Sequence, residues 1–292
     1  MSQPVLQREF VWRRLHSLFG LALVLFLVEH LLTNSQAGLW IVDPDNTFVK
    51  MVGALHDMAF LRTLEVLLIG IPLLFHGALG IKYLFAAKFN ACKTDGTAPS
   101  LDKYPRNHAY TWQRITSWML LFLILFHVID FRFLEYPKKA IQHGKGLYLV
   151  QITFDEGLHT LRSRAPFTLY DLQEAETVSG EEGDNFIDVL HSFSPRKGRM
   201  IAATGSFGVA TLLTVRDTFK NPFYVALYTL FVLAASFHAF NGFWTFLITW
   251  GMILGVAAQK RMGKVALMFM ALIALLGLVS IWGSYLTYLI ER

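Results

Sequence analysis

LEVLLIGIPLLFHGALGIKYLFAA, residues 64–87, is the stretch that decides the fold. Its only charges, Glu65 and Lys82, stand near its two ends. A helix rises about 1.5 Å per residue, so a run of this length crosses a hydrocarbon layer roughly 30 Å thick. His76 interrupts it in the middle. A neutral imidazole costs less in lipid than a charge, but its two nitrogens still need partners.

The same unit recurs along the chain. Residues 18–32, 115–133, 223 to about 250 and 265–290 are also apolar enough to cross, the first with help from Leu15 and the residues after Leu32. The fourth run continues toward Ala258, too far for one straight crossing, so its inner end is left open. Of the 292 residues 54% are apolar and 16% charged, against about 25% charged in soluble domains. The expected fold is all-α and integral to the membrane, with five transmembrane helices. Net charge is +5 and comes largely from residues flanking the spans, which gives no reason to invoke nucleic acid. Arg8, Arg13 and Arg14 precede the first run as in a signal peptide, but no small-residue cleavage site follows, so that run reads as a retained span. The single cysteine, Cys92, excludes an internal disulfide and a cysteine-ligated iron–sulfur cluster.

Basic residues set the orientation. Arg8, Arg13 and Arg14 lie before span one, Lys88, Lys93, Lys103 and Arg106 between spans two and three, and Lys260, Arg261 and Lys264 between spans four and five. These regions share one side, the cytoplasmic one, which places the N-terminus inside. The organisation expected is residues 1–134 for spans one to three, 135–221 for an external cap, and 222–292 for spans four and five. Within the cap, residues 147–154 and 167–170 read as strands, 174–184 as an acidic loop, and 205–215 as a mildly apolar segment at the membrane interface.

Three more spans carry a histidine: His30, His127 and His238. From Ser17, His30 is 13 residues in, about 20 Å; from Trp112, His127 is 15 residues in, about 23 Å. Both come to lie in the outer half. Spans two and four run inward, so His76, 14 residues from Arg62, and His238, 16 residues from Pro222, lie about 21 and 24 Å in, in the inner half. The depths give an outer pair, His30 with His127, and an inner pair, His76 with His238. Two histidines facing each other across a bundle clamp a haem iron from both sides, and two such sites stacked across the membrane make an electron path. Gly77, Gly80 and Gly242 near the inner pair suit a flat macrocycle, although small residues also simply pack helices.

His16 shares a helical face with His30 but lacks a partner span, and reads as a haem-propionate or quinone contact, or as an interfacial residue. His56 and His108 fall at membrane edges; His143, His159 and His191 read as cap surface. A weak repeat relates Trp12-Arg13-Arg14-Leu15-His16-Ser17 to Trp112-Gln113-Arg114-Ile115-Thr116-Ser117, and His76 to Gly80 with His238 to Gly242.

Arg13-Arg14-Leu15-His16-Ser17-Leu18, Glu29-His30-Leu31-Leu32, Pro72-Leu73-Leu74-Phe75-His76-Gly77, Gln113-Arg114-Ile115-Thr116 and Phe237-His238-Ala239-Phe240-Asn241-Gly242 carry a further signal. With Trp250-Gly251 they resemble the cytochrome b membrane anchor of succinate dehydrogenase and fumarate reductase, in its single-anchor, five-span, two-haem form. The resemblance implies that the four span histidines ligate two haems b, with the inner haem facing a partner iron–sulfur subunit and its flavoprotein on the cytoplasmic face of a bacterial membrane. It also implies menaquinone chemistry near the outer haem, served by an acidic residue: Asp57 matches best, with Glu65 the alternative. Arg14, Lys82 and Arg114 are candidates to hold the inner haem's propionates or dock the partner, and Arg62 and Arg132 their counterparts outside. Without a flavin fingerprint or a cysteine cluster the chain would not oxidise succinate itself; its expected work is electron transfer to quinone. Two other readings stay open: an anchor for another quinone-linked dehydrogenase, and a histidine-relay proton channel or transporter.

Overall fold

The structure is a computed structural model that describes residues 4–43, 45–86, 91, 101–171, 184–194 and 198–292. Lys88, Cys92, Lys93 and the acidic stretch from Glu174 to residue 183 lie outside the described residues. Helix α1 covers Pro4–Gly38, and the short α2 covers Thr47–His56. Helix α3, Leu61–Glu65, runs through a π-helical turn, Val66–Gly70, into α4, Ile71–Phe85. Pro72 explains that turn: it has no N–H to donate, and its ring presses on the carbonyl four residues back, inside the π segment. Helix α5, Pro105–Val128, likewise ends in a π turn, Ile129–Leu134. The last two spans are α9, Pro222–Thr249, and α10, Val256–Glu291.

Five helices are thus long and apolar enough to cross a membrane, as expected from the sequence: Arg8–Gly38, Leu61–Phe85, Arg106–Leu134, Pro222–Thr249 and Val256–Glu291. The long fourth apolar run is divided. Helix α9 stops at Thr249, the chain turns through Gly251 at φ 71°, where a side chain is disfavoured, and α10 takes over. Lys260, Arg261 and Lys264, expected in a connection, belong to the first turns of α10.

The chain forms two compact units. The first consists of Met1–His30, Arg62–Leu125 and Leu230–Leu275, and the second of Leu31–Leu61, Phe126–Thr229 and Leu276–Arg292. Residues 135–221 fall wholly within the second.

In that second unit, β1 (Lys138–Gln142), β2 (Lys145–Thr153), β3 (Thr168–Tyr170) and β4 (Arg199–Thr204) form an antiparallel sheet in the order β1-β2-β4-β3. The two residues that join β1 to β2, His143 and Gly144, both have positive φ, the conformation that matches the twist of a tight hairpin. The runs read as strands therefore are strands. Helix α6 (Gly157–Arg164) connects β2 to β3, and α7 (Phe186–His191) packs against β1. Ala140, Leu149, Phe186, Leu190, Ile201 and Ala203 form the cap's own core. The segment expected at the membrane interface is α8, Phe207–Thr218, and its apolar side is taken up by protein: it packs on α2 and β2, and a side chain at Gly208 would collide with the backbone of Val49.

Arg216, 2% exposed, anchors the cap through two bonds to Asp155 at 2.7 and 2.6 Å and an ion pair with Glu291 of α10 at 3.5 Å. Burial pushes the Asp155 carboxyl up, but hydrogen bonds from Arg216 and Lys220 outweigh it and hold the group below the ordinary aspartate value. Also in this unit, α1 and α10 touch backbone to backbone: a Cβ at Gly38 would meet the Val279 carbonyl, and one at Gly283 would meet Gly38.

Candidate functional site

The first unit brings together His16 of α1, His76 of α4 and His238 of α9. The rings of His76 and His238 are 6.1 Å apart, centre to centre, and nearly perpendicular. The His16 ring lies flat on that of His76 at 4.1 Å.

Hydrogen bonding fixes which nitrogen of each ring is free. His76 Nδ1 is 2.9 Å from the main-chain carbonyl of His16. A carbonyl only accepts, so His76 carries its proton on Nδ1 and its Nε2 has a free lone pair. His238 Nδ1 faces the hydroxyls of Thr116 and Ser117, each at a long 3.4 Å. Both hydroxyls already donate to main-chain carbonyls, Thr116 at 2.8 Å to Trp112 and Ser117 at 2.7 Å to Gln113. They therefore present acceptors to His238, whose proton also sits on Nδ1. Two half-buried imidazoles with Nδ1–H engaged and Nε2 unprotonated are the usual state of metal-ligating histidine.

The spacing fits the same use. A metal–imidazole bond is about 2 Å, and a ring centre lies about 1 Å beyond the nitrogen, so two rings on one metal have centres about 6 Å apart. The donor set and the spacing therefore fit a haem iron at His76 and His238. Among the described residues no group of three or more histidine, cysteine or acidic side chains is arranged to hold a bare metal ion, and axial ligation of a haem needs only two.

The backbone around the pair is clamped. Gln113 donates from Nε2 to the carbonyl of His238 at 3.0 Å and accepts from Asn241 at 2.8 Å. Gly20 is the tight glycine: a Cβ there would come within 2.9 Å of the His76 ring. A Cβ at Gly77 would meet nothing within 4 Å, and Gly80 and Gly242 face His16 and Gln113 at ordinary contact distance. Gln113, Thr116 and Ser117 stood in the repeated motif without an assigned role, and Gly20 carried no signal in the sequence.

The basic candidates of this unit differ in environment. Arg114 is 6% exposed and stacks over the Tyr110 ring at 4.1 Å. Arg14 lies over Phe10 and Trp250 and donates to the Thr249 carbonyl. Lys82 pairs with Glu9 at 2.6 Å at the surface, and Arg62 is exposed. Glu65 opens the π turn of span two and is half-buried. His30, the last residue of the unit's first segment, leans on Phe26 at 5.2 Å.

The second unit holds His127, whose Nδ1 is 3.3 Å from the hydroxyl of the buried Tyr228. Arg132 lies over the Tyr136 ring. Asp57 is exposed at the end of α2. Beside it His56 bonds the Tyr148 hydroxyl at 3.0 Å and stacks on Phe207. Burial first, then the charge of Asp57, pushes the Tyr148 phenol up.

No family model matches the chain, and no solved structure matches it. Over 276 residues, 94% of its length, it is 24% identical to the succinate dehydrogenase cytochrome b558 subunit of Bacillus subtilis (strain 168), and 96% of that protein is covered. From the first span to the last, the chain resembles a succinate dehydrogenase cytochrome b subunit.

Proposed function

We propose that this chain is the di-haem cytochrome b anchor of a succinate:quinone oxidoreductase in a bacterial inner membrane. It fastens a flavoprotein and an iron–sulfur subunit to the cytoplasmic face and passes electrons between them and a membrane quinone, menaquinone by family resemblance. His76 and His238 hold the inner haem b, and His30 and His127 the outer one.

The observation that carries the reading is the hydrogen bonding of the inner pair: each Nδ1 faces acceptors, the His16 carbonyl or the Thr116 and Ser117 hydroxyls, an arrangement that supports Nε2 as the ligand. Each haem, when bound, supplies a one-electron couple. The chain's own residues orient and tune it. The His16 carbonyl and the Thr116 and Ser117 hydroxyls hold the imidazoles in one tautomer and make Nε2 more basic. Arg114, 6% exposed, and Arg14 and Lys82 are the cations of this unit proposed to hold the inner haem's propionates or dock the partner. Span direction and depth support the outer pair, and Tyr228 gives His127 a partner for its second nitrogen. Asp57, with Glu65 the alternative, serves proton exchange with the quinone. A proton relay is the weaker reading, because a relay imidazole must exchange tautomers and His76 is pinned to a carbonyl.

The test is the purified complex. Two haems b per chain, both reduced by succinate, are expected. His76→Ala and His238→Ala should each remove one of the two and leave the other. A folded, colourless chain would overturn the reading.

A further inference from the structure

The second unit holds a half-open cavity of about 420 Å³ between the cap and the ends of its spans. Asp130 and Glu135 come to it from the end of the third span, Arg199 from β4, and Asp217 from α8. Lys220 follows α8, and Tyr224 and Tyr288 close the wall from α9 and α10. Most of these charges neutralise one another. Asp217 pairs with Arg199 at 2.7 Å and Lys220 at 3.0 Å, Lys220 also reaches Asp155 at 2.6 Å, and Glu135 lies 3.8 Å from Arg199.

Asp130 is different. It is 7% exposed, it stands in a π turn of a membrane span, and its carboxyl makes no hydrogen bond or ion pair among the described residues. An unpaired buried carboxylate is costly, and an ionisable residue kept inside a span points to function. Tyr224 shares the cavity with it. The Tyr224 ring stacks on that of Tyr228 at 6.3 Å, and the Tyr228 hydroxyl touches His127. Two stacked tyrosines thus stand between the cavity and a proposed haem ligand. So polar a wall suits water rather than an apolar ring, and the space holds on the order of ten waters.

We propose that this cavity is a hydrated proton-exchange chamber, and that Asp130 is a second proton-exchanging acid beside Asp57 (Glu65 the alternative), passing protons between outside water and the quinone that reacts near His127. The inference rests on reading the chain as a quinone-reacting anchor. A quinone becomes a quinol by taking two electrons and two protons. The electrons come from the partner dehydrogenase through the chain. Protonated Asp130 breaks its O–H bond and gives the proton to a quinone carbonyl oxygen, directly or through one water, and the carboxylate left behind is reprotonated from the chamber. Quinol oxidation runs the same transfers backwards. Glu135, Arg199, Asp217 and Lys220 set the potential there and stay paired, while Tyr224 and Tyr288 contribute hydroxyls.

Asp130→Asn in the whole complex tests this. Expected are unchanged haem bands, unchanged reduction of both haems by succinate, and an unchanged rate with a phenazine dye that takes electrons from the dehydrogenase. Reduction of a soluble menaquinone analogue should fall about a hundredfold, and Asp130→Glu should recover it to within about tenfold. Thr218→Leu, which narrows the chamber without altering charge, should cause the same selective loss, and it decides the matter if Asp130→Asn does not assemble. Wild-type quinone rates in these variants overturn the chamber while leaving the anchor reading intact. A wild-type complex whose haems succinate cannot reduce overturns the anchor reading, and the chamber with it.

Discussion

Gln113 on α5 donates from its side-chain amide to the main-chain carbonyl of His238 on α9, over 3.0 Å. The same amide takes a hydrogen bond from Asn241, so one residue of the third span fixes the helical turn that presents an imidazole from the fourth. Gln113→Leu should therefore move that imidazole rather than remove it. Stability should fall by about 1–2 kcal/mol. The midpoint potential of one haem should shift while the other holds, which a redox titration of the purified complex measures; two unmoved potentials would refute the assignment.

Gly20 leaves room for the His76 ring that no side chain can share. Gly20→Val should displace the ring and lower the occupancy of the haem proposed at His76 at least several-fold, while Gly53→Ala, on α2 with nothing within 4 Å of the new carbon, should be neutral. Haem-to-protein ratios of the two variants make the comparison, and equal losses would show that the crowding is unspecific.

Asp155 and Arg216 are both almost fully buried. Asp155→Asn leaves the guanidinium short of charge and should cost about 3–5 kcal/mol, seen as faster proteolysis of the cap. The acid dependence has a definite sign. Because the carboxyl's value is lower folded than unfolded, its contribution is complete above the ordinary aspartate value, about pH 4, and is lost as pH falls through the folded one. A wild-type cap should loosen in acid below that point, and Asp155→Asn should be insensitive over the same range.

At the Gly38–Gly283 crossing two helix backbones touch with nothing between them. Gly283→Ile should force α1 from α10 and cost about 2–3 kcal/mol or prevent assembly. Gly53→Ala, with nothing within 4 Å of the new carbon, is the control.

The spans were legible because one rule, enough consecutive apolar residues, governs them. The closeness of His76 to His238 followed from arithmetic on span direction, and residues 147–154 announced a strand through their apolar and aromatic side chains. The contacts that act on His76 and His238 were not legible. Gln113, Thr116 and Ser117 reach across from another helix, and a hydrogen bond between distant segments leaves no period in the sequence. Gly77, Gly80 and Gly242 were singled out because they adjoin the two histidines in sequence, whereas the glycine in tightest contact with the His76 ring, Gly20, comes from α1. Residues 205–215 were read as an interfacial segment because apolarity reports burial without saying against what. Asp130 drew no notice because its significance lies in the cavity, which only the folded cap creates.

The ion pair between Arg216 and Glu291 bears on how the protein is made. Arg216 meets Asp155 as soon as α8 docks on the sheet, but Glu291 arrives only with the last turn of the fifth span. The cap is synthesised before that span, so Arg216 gains its second acidic partner only when the fifth helix is in place, and insertion of that helix is the step that seals the cap.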